Sequence, residues 1–147
     1  MARVGTRDDW QRLCALLDDD ELLWPAVEAA LRDADADAWE TLLDGLDDAG
    51  ALAYLDAEDT GMELSDALAQ LPRVFRLQPD LDAVTDTDDL GEAISAADRV
   101  LAGDGHRLLR LEEPGTDAHA LVVVPSDSVA EILRLAGSLQ VPLGAPI

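Results

Sequence analysis

The 147-residue chain contains no lysine and no asparagine, and only one cysteine, one tyrosine and one phenylalanine. Without lysine there is no amine to form a Schiff base or to grip a phosphate, and every base is an arginine. The lone Cys14 can form no internal disulfide, which fits a reducing compartment. With two histidines beside it, it cannot complete a four-ligand zinc site unless carboxylates join. The longest apolar run, residues 120–125, is far too short to cross a bilayer, and no basic-then-apolar leader opens the sequence. The expectation is a cytoplasmic protein without a membrane partner. Gly-rich phosphate loops and Gly-x-Ser-x-Gly nucleophile motifs are also missing, so no cofactor and no catalytic residue is expected.

What the chain has in excess is carboxylate. Against 10 arginines stand 23 Asp and 9 Glu, for a formal charge of -22. Residues 33–72 hold nine Asp and three Glu with no Lys, Arg or His. A field of that sign repels nucleic acid, anionic lipid and polyanionic substrates and attracts cations and basic proteins. The charge is uneven: 19 acids and 4 Arg precede Pro72, and 13 acids and 6 Arg follow it. Coding bias or adaptation to high salt would produce the same composition, so the acidity alone does not specify a partner. A hydrophobic fraction of 48% argues for a folded chain despite the charge. The length suits one domain, which buries roughly 68–70% of its unfolded surface.

Helical spacing of apolar residues recurs six times and predicts helices near 8–18, 22–32, 38–48, 60–71, 89–102 and 127–137. Capping pairs mark most of the starts: Asp37 with Glu40, Thr60 with Glu63, Asp89 with Glu92, and Ser128 with Glu131. Pro25 suits a first turn, and Gly50, Gly103 or Gly105, and Gly137 suit helix ends. Strand signals fall at 51–55, 106–112 and 118–124, the last two forming a hairpin around Pro114, Gly115, Thr116 and Asp117. Residues 118–124 are apolar on both alternations, which places that strand mid-sheet with both faces covered. Leu139, Val141 and Leu143 suggest a last strand, 73–77 a weak edge strand, and 78–88 a long loop. The fold class read from this pattern is α+β, a single domain in which N-terminal helices precede an α-β-β-α-β half with a small mixed sheet.

Two segments carry a family resemblance. One is Asp48-Ala49-Gly50-Ala51-Leu52-Ala53-Tyr54-Leu55-Asp56, an apolar strand leading through an acidic turn into a helix. The other is Gly115-Thr116-Asp117-Ala118-His119-Ala120-Leu121-Val122-Val123-Val124-Pro125, a hairpin strand followed by an Ala/Leu helix. With the helices they lead into they cover about half the chain. They resemble a bacterial family designated domain of unknown function 6630. The Trp-Lys pair usual after the family's Leu-Asp is Ala57-Glu58 here, and an aromatic is missing from Ala118-His119. The resemblance implies an α+β domain without assigning an activity, and suspected roles among related small cytoplasmic proteins include toxin neutralisation.

Candidate chemistry is thin. With acids at 32 of 147 positions, chance alone supplies about seven acidic pairs at helical i, i+4 spacing, so a pair such as Asp44 and Asp48 does not indicate acid–base catalysis. Asp33-Ala34-Asp35-Ala36-Asp37 has the opening spacing of a calcium loop, but Ala38 stands where that loop needs Gly, Asp44 replaces its bidentate Glu, and Asp37 is better used as a cap. His106 and His119, on adjacent strands of the expected hairpin, could approach one another only in a favourable register; no metal site is assigned. Trp10, Trp24 and Trp39 all lie in the acidic N-terminal third. Trp10 and Trp39 start core faces, and Trp24 beside Pro25 is the one expected to be partly exposed at a partner surface.

These observations lead to a non-catalytic acidic module that binds a basic protein, either a toxin held by an immunity-like inhibitor or a nucleic-acid-binding protein. The expected contact residues are Trp24, Asp44, Asp47, Asp48, Asp56, Glu58, Asp59 and Glu63. The alternative is a housekeeping or structural α+β domain whose acidity is compositional.

Overall fold

A computed structural model describes residues 4–18, 21–33, 37–56, 58–112 and 118–145, with side chains from residue 7 onward. Three helices open the chain: α1 (Val4–Leu17), α2 (Leu23–Arg32) and α3 (Ala38–Asp48). Strand β1 (Ala53–Leu55) follows, then α4 (Gly61–Ala69), α5 (Pro72–Leu77), α6 (Asp82–Thr85) and α7 (Leu90–Gly103). The rest is β2 (His106–Leu111), β3 (His119–Pro125), a 3-10 turn at Ser126–Ser128, α8 (Val129–Leu139) and β4 (Leu143–Gly144).

The sheet order is β1-β3-β2-β4, and every pairing is antiparallel, so the mixed sheet expected from sequence is corrected to an antiparallel one. Successive strand residues alternate between faces, and the two faces have separate cores. Ala120, Val122 and Val124 of β3, with Leu109 and Leu111 of β2, pack against α1, α2, α3 and α8. Leu121 and Val123, with Ala53, Leu55 and Leu108, pack against α4, α5, α6 and α7. Residues 120–124 are therefore all buried, as their doubly apolar pattern requires.

The caps follow the sequence in part. Asp37 accepts the amides of Trp39 (2.9 Å) and Glu40 (3.4 Å), and Asp89 accepts that of Glu92 (2.9 Å). Thr60 and Glu63 form a complete reciprocal box. Ser128 does not cap α8; Glu131 turns instead to Arg12 on α1, whose Nε lies 2.7 Å away, and a 3-10 turn starts the helix.

Three segments depart from expectation. Residues 73–77 are helix α5 rather than an edge strand, because Pro72 occupies the first helical turn, where its fixed φ suits a helix start. This puts Arg73 Nη1 within reach of the Leu16 carbonyl (3.2 Å) and the Val123 carbonyl (2.8 Å), tying α5 to α1 and β3. Residues 78–88, read as a loop, contain the short α6, whose Val84 is fully buried. The last helix continues past Gly137 to Leu139 and stops at Gln140 in a left-handed conformation (φ 58), which leaves only Leu143–Gly144 for β4. The Gly115 turn lies outside the described residues.

Because β4 is two residues long, it leaves most of the β2 edge uncovered, and Asp98 of α7 closes that gap. Its Oδ1 accepts the Leu108 amide (3.0 Å), and both its oxygens hold Arg107 (2.9 and 2.8 Å). Burial alone would raise the Asp98 pKa, but the Arg107 hydrogen bond, the Leu108 amide and the Arg107 charge together hold it below the ordinary value. A carboxylate depressed on folding contributes stability that is complete above its unfolded pKa of about 3.9 and is lost as pH falls through the folded value. Thermal melts should therefore show Asp98→Asn less stable than the parent at pH 7, with the gap narrowing on acidification below about pH 4.

A second requirement is steric. A Cβ on Gly61 would lie 1.8 Å from the Val84 carbonyl oxygen and 2.5 Å from that of Thr87, and the Gly61 amide itself donates to Thr87 (2.8 Å). Gly61→Ala should cost on the order of 1–3 kcal/mol in denaturant unfolding, because backbone must shift to admit the methyl group.

Candidate functional site

Helix α3 turns Trp39, Leu42, Leu43 and Leu46 inward, and the Trp39 indole N–H donates to the Glu112 carbonyl (2.9 Å). Glu40, Asp44, Asp47 and Asp48 are left on the solvent side, all exposed. Their spacing of i, i+4, i+7 and i+8 makes them one stripe of like charge along the helix. Ion pairs among the described residues engage Glu28, Asp98 and Glu131, none of them in this stripe.

The second acidic group lies between β1 and α4. Asp56 and Glu58 are exposed, whereas Asp59 and Glu63 have local work. The Asp59 carboxylate accepts the Asp56 amide (2.8 Å) while the Asp59 amide donates to the Asp56 carbonyl (3.0 Å). Glu63 accepts the Thr60 amide (2.9 Å) and the Thr60 hydroxyl. The hydroxyl bond, followed by the amide bond, holds the Glu63 pKa below the ordinary value. Ala57 lies outside the described residues.

Residues 49–52 separate the end of the α3 stripe from β1, and the turn begins where the chain leaves that strand. The two groups thus flank a strand of three residues, roughly 10 Å long. They belong to opposite layers, since α3 packs on one face of the sheet and α4 on the other. Between them in the sequence is Tyr54, 37% exposed, whose neighbours Ala53 and Leu55 are each 2% exposed. The outer edge of β1 pairs with no strand among the described residues. Tyr54 was not among the expected contact residues. Its signal in the sequence is the alternation Ala-Tyr-Leu in a short strand bounded by acids.

Trp24 is placed differently. It is half-buried against the first core, and the Arg7 guanidinium lies 5.4 Å from its ring centroid. Arg7 also donates to Glu28, and Arg32 lies 3.5 Å from the same carboxylate. The exposed part of Trp24 is therefore engaged by a base of its own chain, on the seam between α1 and α2. Trp10 and Trp39 are core residues, each 6% exposed.

The two histidines do not meet. His106 pairs with Pro125, and His119 lies at the other end of β3, six residues or roughly 20 Å away. Burial, and then the Arg110 charge, lower the His119 pKa. Burial pushes the Cys14 thiol up to about 12, which keeps it protonated. Among the described residues no group of three His, Cys, Asp or Glu side chains is arranged to hold a metal, and no helix is long and apolar enough to cross a membrane. Residues 34–36 of the calcium-like spacing lie outside the described residues, and Asp37 is occupied as the α3 cap.

Compared with known proteins, the chain matches the model of the family described as Domain of unknown function (DUF6630) over residues 9–146. No curated protein and no solved structure matches it.

The local hydrogen bonds separate carboxylates that shape the turn from those that only project from it. Thr60→Ala should raise the Glu63 titration midpoint, followed by carboxyl NMR, and lower the thermal midpoint. Asp44→Asn and Asp47→Asn should leave the thermal midpoint unchanged or slightly higher, through relief of repulsion along the stripe.

Proposed function

From a chain that belongs to the DUF6630 family and carries a lopsided acidic surface, we infer a non-catalytic protein-binding module whose partner is a basic protein. The observation that carries the reading is the β1 edge. Along the chain, a half-exposed tyrosine in an edge strand that pairs on that side with no strand among the described residues is preceded by the exposed Asp44, Asp47 and Asp48 of α3 and followed by the exposed Asp56 and Glu58. An aromatic anchor inside a rim of one charge is the composition of a hot spot, and the rim selects a partner rich in Arg or Lys. The partner fits an immunity-like role, in which the module holds a basic toxin, or a role as inhibitor of a nucleic-acid-binding protein. The absence of any base over residues 33–72 supports the same face, because no arginine in that stretch competes for the carboxylates. Trp24, already covered by Arg7, is left to stabilise the helices behind it.

The test is affinity capture from native lysate, followed by association kinetics with the recovered protein. The reading expects a basic partner whose on-rate falls steeply with salt, the screening length being about 8 Å at physiological ionic strength. Neutralising Asp44, Asp47, Asp48 and Glu58 should lower the on-rate several-fold and flatten its salt dependence. Tyr54→Ala should act mainly on the off-rate. A partner indifferent to salt and to all five substitutions would mean that the acidity is compositional.

A further inference from the structure

We propose that the cleft beside β4 binds a small zwitterion of the α-amino acid type, with its carboxylate on Arg110 and its ammonium group on Glu112. The cleft has a volume of about 250 Å³ and is lined by these two residues and by residues 141–145. Arg110 lies on β2 opposite Gly144 of β4. A Cβ on Gly144 would meet nothing within 4 Å, so the missing side chain leaves open space next to the guanidinium.

Arg110 lacks the partners a half-buried arginine ordinarily has. Its Nε is shielded from solvent and has no hydrogen-bond acceptor, and it joins no ion pair among the described residues, in a chain with 32 acids and 10 bases. That Nε is closed to a ligand, whereas neither terminal nitrogen is among the shielded, unpartnered atoms, so a carboxylate presented from the cleft meets the guanidinium through those two nitrogens in fork geometry.

Glu112 supplies the opposite charge. It lies one residue past the end of β2 and two from Arg110, a step of roughly 6.6 Å for extended chain, and both residues line the cleft. Its main chain is held on both sides, the amide by the Pro142 carbonyl (2.9 Å) and the carbonyl by the Trp39 indole (2.9 Å). Glu112 is exposed and joins none of the described ion pairs. Charge contacts of about 2.8 Å to each end of an amino acid head group bridge that spacing. Phosphate and other multiply charged anions are disfavoured by Glu112 and by the net charge of -22, and a neutral ligand leaves Arg110 unsatisfied. This site does not depend on the acidic β1 edge.

The experiment is an NMR titration of the full chain with each of the twenty standard amino acids, and with the N-acetyl and methyl ester derivatives of any that bind. At least one amino acid should give saturable shifts at the Gly144 amide and the Arg110 Nε–H, together with a rise in the His119 midpoint as the Arg110 charge is neutralised. Removing either ligand charge should weaken binding roughly tenfold or more, and Arg110→Gln and Glu112→Gln should each do the same. Gly144→Val keeps both charges and fills the cleft, so it should abolish binding while the thermal midpoint is retained; it carries the test if Arg110→Gln fails to fold. No saturable shift from any amino acid at about 10 mM, or equal binding of the N-acetyl derivative or of inorganic phosphate, would overturn the proposal.

Discussion

The burial of β3 on both faces is the constraint from which the rest of the structure follows. Residues 120–124 can leave water only if a helical layer covers each side of the sheet. One layer is assembled from α1, α2, α3 and α8 and the other from α4 to α7, so the chain must cross from one side to the other between α3 and α4. Strand β1 is that crossing. It lies at the sheet edge, and the acidic stretch runs through it because the helices on either side turn their apolar residues inward and their carboxylates outward.

A charge of -22 on 147 residues destabilises a compact state through self-repulsion, and the structure shows how part of that repulsion is met. Arginines draw Glu28, Glu131 and Asp98 into bridges that join elements: α1 to α2, α1 to α8, and α7 to β2. Backbone amides take Asp37, Asp59, Glu63 and Asp89 as caps or turn closures. The α3 stripe falls in neither group. Its carboxylates contribute nothing to caps or bridges among the described residues, and for that reason they stand out as candidates for an external role.

Much of this was legible in the sequence. The capping pairs located α3, α4 and α7, and the double alternation of 118–124 located the central strand, because both signals are local and each is satisfied within a few residues. The misreadings arose where one residue type serves two purposes. Pro72, expected to end one helix, begins another, and Gly137 sits inside a helix whose end is set by Gln140. Within the candidate site, sequence could place Asp44, Asp47 and Asp48 on one helical face but could not show that Arg7 covers Trp24, a contact between different helices. Nor did it single out Tyr54, whose exposure follows from β1 lying at the edge of the sheet.

We propose the β1 edge and the acidic segments on either side of it in the sequence as a docking surface for a basic protein. Hydrogen–deuterium exchange of the full chain, with and without the basic protein recovered by affinity capture, tests it most directly. Binding should slow exchange in residues 53–59 and along α3, with α5 and α8 unchanged. Protection confined to other elements, with the β1 edge exchanging as in the free chain, would contradict it.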